Sequence, residues 1–280
     1  MSRKAALAAL LEPDPVEKVR LTKLFNGMPR RGFTDKPLQH AVAAPGRPQR
    51  PELIHPARVP QRGLGKPEGR AALLHAVAHI EFNAINLALD AACRFAHLPD
   101  DYYADWLQVA AEEALHFSLL SQHLETAYGM RYGDLAAHNG LWEMAEKTAE
   151  DVLARMGLVP RIMEARGLDV TPGIRQKLLQ AGETRAAEIL DIILRDEVGH
   201  VAIGNKWFRH LCEERGLEPV FTFSRLMQEY GAPGIRPPLN LEARREGGFD
   251  EAEIAWLQAN VSSAPNRAPK HPFPPAPLAA

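Results

Sequence analysis

Three glutamates, Glu81, Glu113 and Glu197, stand in the middle of apolar stripes at helical spacing, and that placement constrains the chain more than any other feature. On a helix, positions three, four and seven residues away share a face. Around Glu113 these are Trp106, Val109, Ala110, His116, Phe117 and Leu120. Around Glu197 they are Leu190, Ile193, Leu194, His200, Val201 and Gly204, and around Glu81 they are Leu74, Val77, Ala78, Ala84, Ile85 and Ala88. A buried carboxylate without a partner costs several kcal/mol, so it must be protonated, ion-paired or bound to metal. No lysine or arginine occupies these stripes. A metal ion is the economical counter-charge.

Glu-x-x-His by itself carries little weight. With 23 glutamates and 11 histidines, about one match is expected by chance. The chain has three: Glu52 with His55, Glu113 with His116, and Glu197 with His200. The first falls in a proline-rich stretch where residues three apart share no helical face, and it is set aside. In the other two, Glu and His project from one face of a strongly patterned helix.

The spacing then repeats. Glu81 precedes Glu113 by 32 residues and Glu164 precedes Glu197 by 33. Two copies of Glu…Glu-x-x-His supply four carboxylates and two imidazoles, the ligand set of ferritin-like di-iron or di-manganese bundles. Glu81 lies 18 residues before Pro99 and His116 lies 17 after it, so an antiparallel pair turning there brings them level. Oxygen and imidazole donors suit iron or manganese, whereas closed zinc sites more often use thiolates. Each motif is preceded by another acid, Glu112 or Asp196, and a ligating histidine commonly donates its second N–H to such a group. Both are candidates to hold the histidine of the opposite helix.

Glu164 is the weakest member, because Arg161 shares its face, Pro160 precedes it, and a turn at 168–172 leaves it too close to the helix end to meet Glu197. Glu143 is the rival by height, but Asn139, Glu146, Lys147 and Glu150 make its face a solvated stripe. Glu164 is preferred on the supposition that 168–182 is an excursion before the last helix. His75 and His79, four apart and off the Glu81 face, read as structural histidines rather than a further metal site. No tyrosine lies within one helical turn of any of the six, which leaves only a tertiary neighbour for radical storage.

The expected fold is all-α, a ferritin-like four-helix bundle over 70–216. A Pro-, Gly- and basic-rich N-terminal strap over 1–69 wraps it, and an irregular C-terminal extension over 217–280 ends in a disordered tail. Helices are expected at about 70–96, 102–128, 141–166 with a bend near Pro160, 172–182 and 183–215, with a short one near 249–259. Hydrophobic residues at 46% and charged residues at 24% are ordinary for a soluble globular chain. The net charge of −2 hides an asymmetry. Residues 1–70 carry fourteen Lys/Arg against six Asp/Glu, so a basic leader precedes an acidic body. Cys93 and Cys212 form no CxxC pair and read as buried thiols. The apolar run Ala5–Leu11 is too short for a secretory signal, no membrane span is expected, and a cytoplasmic location follows.

The segments GRAALLHAVAHIEFNAINLALD, EEALHF, VPRIMEARGLDVTP and LRDEVGHVAIGNKWF resemble an uncharacterised bacterial family of ferritin-like domains, over roughly residues 12–258. That family is similar in ligand spacing to the tRNA-modifying di-iron hydroxylase and, more distantly, to the ribonucleotide reductase small subunit and methane monooxygenase. The resemblance implies the same six ligands and two iron ions, with manganese the alternative. The expected function is an O2-dependent oxidase or hydroxylase; ferroxidase or iron handling, and a metal-stabilised structural or stress protein, are the competitors. No phosphate-binding fingerprint is present, so electrons come from an external donor. The expected partners are a small-molecule substrate in preference to nucleic acid, no membrane, and a homodimer as the oligomeric possibility.

Overall fold

A computed structural model of the chain describes residues 3–33, 38, 44–60 and 62–261. The tail expected to be disordered lies, beyond Val261, outside the described residues. The described residues are helical, without strands, and the fold is an all-α bundle. The elements are α1 (Arg3–Leu11), α2 (Pro15–Lys23), α3 (Pro67–Arg94), α4 (Asp100–Tyr128), α5 (Gly140–Lys147), α6 (Val152–Leu158), α7 (Ala165–Gln180), α8 (Thr184–Glu214), α9 (Pro219–Glu229), α10 (Leu241–Glu246) and α11 (Glu251–Ala259). Between α6 and α7 the chain stays helical but widens into a π-helical segment, Val159–Glu164.

Four long elements form the bundle. α3 packs against α4, the α6–π–α7 rod packs against α8, and α4 lies against α8 to join the two pairs. Alanine-rich faces let α3 and α4 approach closely: Ala78, Ala88, Ala92, Ala110 and Ala114 are all buried there. α3 is the one described helix long and apolar enough to cross a membrane, which the sequence reading did not expect, and most of it is buried in the bundle.

The rod departs from expectation. Thr171-Pro172 reads as a helix start, yet α7 runs through Pro172 without a break. A proline inside a helix frees the carbonyl four residues earlier, here Leu168. Asn240 Nδ2 donates to that carbonyl at 3.2 Å, and the Asn240 backbone N–H donates to Asp169 at 2.9 Å. Arg244 adds a two-pronged contact to the same Asp169. A residue some seventy positions downstream thus removes the local reason for the helix to stop.

The N-terminal segment holds two short helices where the prolines suggested extended chain. α1 lies on α3 and α2 on α4. Each brings a buried cation to a helix C-terminus, where backbone carbonyls lack partners and the dipole is negative. Arg3 donates to the carbonyls of Ala92, Cys93 and Phe95 at the end of α3. Lys18 Nζ donates to Ala9 and Leu10 at the end of α1, at 3.0 and 2.7 Å. Further on, Leu53 pairs with Ala137 in an isolated bridge, and Arg47 stacks on Trp142.

Burial pulls the Lys18 ammonium from its ordinary 10.5 down to about 7, opposed by the charge of Glu12. Between those values the unfolded chain binds the proton and the folded chain does not, so stability rises with pH across that window. The full drop is worth at most roughly 5 kcal/mol. Urea unfolding of wild type and Lys18→Met at pH 6 and pH 9 should therefore show a gap that narrows or reverses in favour of wild type at the higher pH. A gap independent of pH would contradict a buried, titrating Lys18.

Candidate metal centre

The two antiparallel pairs bring the sequence-selected residues to one level. Glu81 comes from α3, Glu113 and His116 from α4, Glu197 and His200 from α8, and Glu164 from the last position of the π-helical segment. Because α7 continues to Gln180, the second turn falls at Gly182 rather than at 168–172. Glu164 lies 18 residues before it and His200 lies 18 after, so the height objection to Glu164 disappears. Glu143 sits on the separate helix α5 and is exposed.

Donor atoms of Glu81, Glu113, His116 and Glu197, all buried, lie within 4.8 Å of one another. His116 Nδ1 is 3.2 Å from Glu81 Oε2 and 3.3 Å from Glu113 Oε2. On the other side, His200 Nδ1 is 2.9 Å from Glu113 Oε1 and 3.7 Å from Glu197 Oε1. Glu113 therefore presents one oxygen to each imidazole.

The outward nitrogens are held crosswise. His116 Nε2, on α4, donates to Asp196 Oδ2 on α8 at 3.1 Å. His200 Nε2, on α8, donates to Glu112 Oε2 on α4 at 2.8 Å. Ionised carboxylates only accept, so each ring donates from Nε2 and turns Nδ1 inward toward the buried glutamates.

Several inward atoms have no hydrogen-bond partner: Glu113 Oε1, Glu164 Oε2, Glu197 Oε2 and His200 Nδ1. Glu113 Oε1 and His200 Nδ1 are close yet misaligned for a hydrogen bond, as expected of two atoms directed at a common third. Buried polar groups left unpaired are rare and call for an explanation. The buried cluster of Glu81, Glu113, His116 and Glu197 can hold a metal ion.

The electrostatics agree. Burial, then the charge of Glu113, pushes the Glu81 carboxyl well above its usual range. Burial and the charges of Glu197 and Glu113 push Glu164 up to about 8. Burial also raises Glu197, again with Glu113 adding to it. Burial opposes ionisation of Glu113 too, but the two imidazoles outweigh it and hold that carboxyl low. Both histidines are pushed up despite burial, His116 by Asp196 and Glu113, and His200 by Glu113 and Glu112. Carboxyls crowded until some keep their protons exchange those protons for a cation.

The π-helical segment is what turns Glu164 inward. The Ala165 N–H reaches back five residues to Pro160 O, inserting an extra residue into the turn. One extra residue rotates everything beyond it by about 100° relative to a regular helix. The segment approaches α8 where that helix carries Gly204, and a Cβ there would sit 2.5 Å from Pro160 Cγ. Nothing in the local pattern announces this widening; the Pro160 that suggested a bend was its one sequence sign.

His75 and His79 hold the loop after α4. His79 donates from Nε2 to His138 O and accepts at Nδ1 from the Tyr132 hydroxyl, and His75 Nε2 accepts from the Gly133 N–H. Tyr132 also packs on Phe82 and Phe117, the neighbours in sequence of Glu81 and His116.

Fold and site together define an all-α helical bundle with a buried carboxylate–imidazole cluster able to hold metal. The chain belongs to the family described as "protein of unknown function (DUF455)", whose pattern matches residues 11–255. It is 46% identical over 264 residues to a Haemophilus influenzae relative named only as an uncharacterized protein, covering 89% of this chain and 91% of that one. No solved structure matches.

Glu164→Ala should lower metal content, and Glu143→Ala should leave it unchanged; elemental analysis of both variants checks this. The opposite pattern would move the third-helix ligand to Glu143.

Proposed function

We propose that the protein is a ferritin-like di-iron carboxylate enzyme, an O2-dependent oxidase or hydroxylase of a small organic molecule. The observation that carries this reading is Glu113, buried and offering one oxygen to the His116 side and the other to the His200 side. Glu81, Glu113, His116, Glu164, Glu197 and His200 would hold two iron ions, with manganese the alternative metal. Two iron(II) ions side by side supply paired one-electron redox chemistry toward dioxygen.

The chain's own residues have definable tasks. Asp196 and Glu112 lock the two rings so that Nδ1 faces inward. Trp106, Phe117, Leu120, Ile193 and Val201 share the helical faces of Glu113 and Glu197, and their burial helps to keep bulk water from the cluster. In the metal-free protein the Glu164 carboxyl, pushed up to about 8, keeps its proton at neutral pH, and it would give that proton up on taking a cation. No part of the sequence forms a nucleotide-phosphate loop, which supports an external electron donor. The bundle's acidic balance supports a small molecule over nucleic acid.

Anaerobic loading with iron(II), followed by rapid mixing with dioxygen with and without excess iron(II), tests the reading. Oxygen uptake limited to the loaded centre, and coupled to product when the organic substrate is added, is the expected outcome. Repeated turnover of free iron(II) would make it a ferroxidase. A loaded centre inert to oxygen would leave the metal with a structural role.

A nucleic-acid substrate would instead bind through the exposed N-terminal arginines with a steep salt dependence. Charge reversal at Arg50, Arg58 and Arg62 is the check; no loss of substrate turnover is expected.

A further inference from the structure

We infer that the C-terminal segment is a working part of the metal centre, and that Arg161 is the positioning residue through which it acts. The inference rests on the reading of Glu164 as a ligand.

Arg161 lies in the π-helical segment, three residues before Glu164, and is completely buried. Its guanidinium sits among three phenylalanine rings, 4.3 Å from the Phe208 centroid, 4.7 Å from Phe223 and 4.9 Å from Phe249. It donates to Asn205 Oδ1 at 2.5 Å and to Glu253 Oε1 at 2.7 Å. Phe208 and Asn205 belong to α8, Phe223 to α9 and Glu253 to α11, and Phe249 precedes α11. One side chain therefore ties the π-helical turn to three other helices.

The partners are fixed in turn. Glu253 Oε2 accepts the Asp250 N–H at 2.9 Å and also pairs with Arg209. Asn205 Nδ2 donates to Gly247 O at 2.6 Å. A buried guanidinium is costly unless its donors are satisfied and its charge is balanced, and the aromatic faces add cation–π attraction. Nε has no partner, so the charge is balanced and the Nη2 donor satisfied only by Glu253, when 247–253 is docked.

A π-helical turn is itself unfavourable beside a regular helix and persists where surrounding contacts impose it. Pro160 removes one backbone donor at its start, and Gly204 admits the turn on the α8 side. Arg161 is the contact that fixes it from the C-terminal side. If the lock is released and the turn relaxes to regular helix, Glu164 rotates away from His200 while Glu81, Glu113 and His116 stay in place. The two cation positions should thus differ in what they require: only the one beside His200 and Glu164 depends on the C-terminal segment.

The test is anaerobic titration of the full-length protein with iron(II), with bound metal counted by elemental analysis. Arg161→Met, which keeps the apolar stem and removes the charge, should bind one ion per chain in place of two. Arg161→Lys, retaining the charge but not the fork, should keep the second ion with affinity weakened about tenfold or more. Combining Arg161→Met with Glu164→Ala should cost no further metal, because both remove the same ligand.

A merely stabilising Arg161 would lower the unfolding temperature and still leave two tight ions in protein kept well below that temperature, and that result would overturn the inference. Should Arg161→Met fail to fold, Phe249→Leu, which removes one ring wall and keeps every hydrogen bond, decides the matter on the same criterion. Wild-type protein that binds no metal would instead overturn the di-iron reading beneath it.

Discussion

Replacing Glu113 by alanine should empty the metal centre completely. Its two oxygens lie 3.3 Å from His116 Nδ1 and 2.9 Å from His200 Nδ1, so no cation position survives with its ligand set intact. The loss should exceed that of Glu164→Ala, which touches one position only. Removal of Glu113 also leaves two buried, crosswise-held imidazoles without their shared counter-charge. Breaking a buried pair in this way costs about 3–5 kcal/mol, so the metal-free variant should unfold well before metal-free wild type. Metal analysis and urea unfolding of the same preparation check both parts. Wild-type metal content in this variant would exclude a shared carboxylate at 113.

The second large effect is expected at Gly204. A Cβ there would meet the Pro160 ring at 2.5 Å, with the ring belonging to the π-helical segment and unable to swing aside as a flexible side chain would. Gly204→Val forces the rod away from α8. Overpacking of this kind costs roughly 1–3 kcal/mol or more, and the displaced turn carries Glu164 with it. The variant should both melt earlier and lose one ion per chain. Gly199→Ala, at a site on the same helix where a Cβ meets nothing, should do neither. Equal effects at both positions would mean that helix propensity, not the close approach to Pro160, sets the outcome.

The long helices and the core stripes were legible because burial repeats every three to four residues and the interruptions at Pro99 and Gly129 are local. The convergence of Glu81, Glu113, His116 and Glu197 followed from two turns and a rise per residue. The crosswise pairing of His116 with Asp196 and of His200 with Glu112 was legible too, since an acid directly before each motif points to the neighbouring helix. What failed did so where distant residues override local signals. Pro172 stops no helix because Asn240 takes the carbonyl it frees. The short helix α2 forms in a proline-rich leader because Pro15 occupies a first-turn position and Asp14 caps it. The π-helical segment depends on Gly204 and on a guanidinium lodged among rings from three separate stretches, and no window of sequence contains that arrangement. Glu164 was selected for its spacing from Glu197, while its height was misjudged because the turn was placed ten residues early.

Elemental analysis of full-length protein, purified after expression with iron in excess, tests the central claim most directly. Two iron or manganese ions per chain is the expected result, falling to none in Glu113→Ala. Stoichiometric zinc alone, or no bound metal in correctly folded protein, would contradict it.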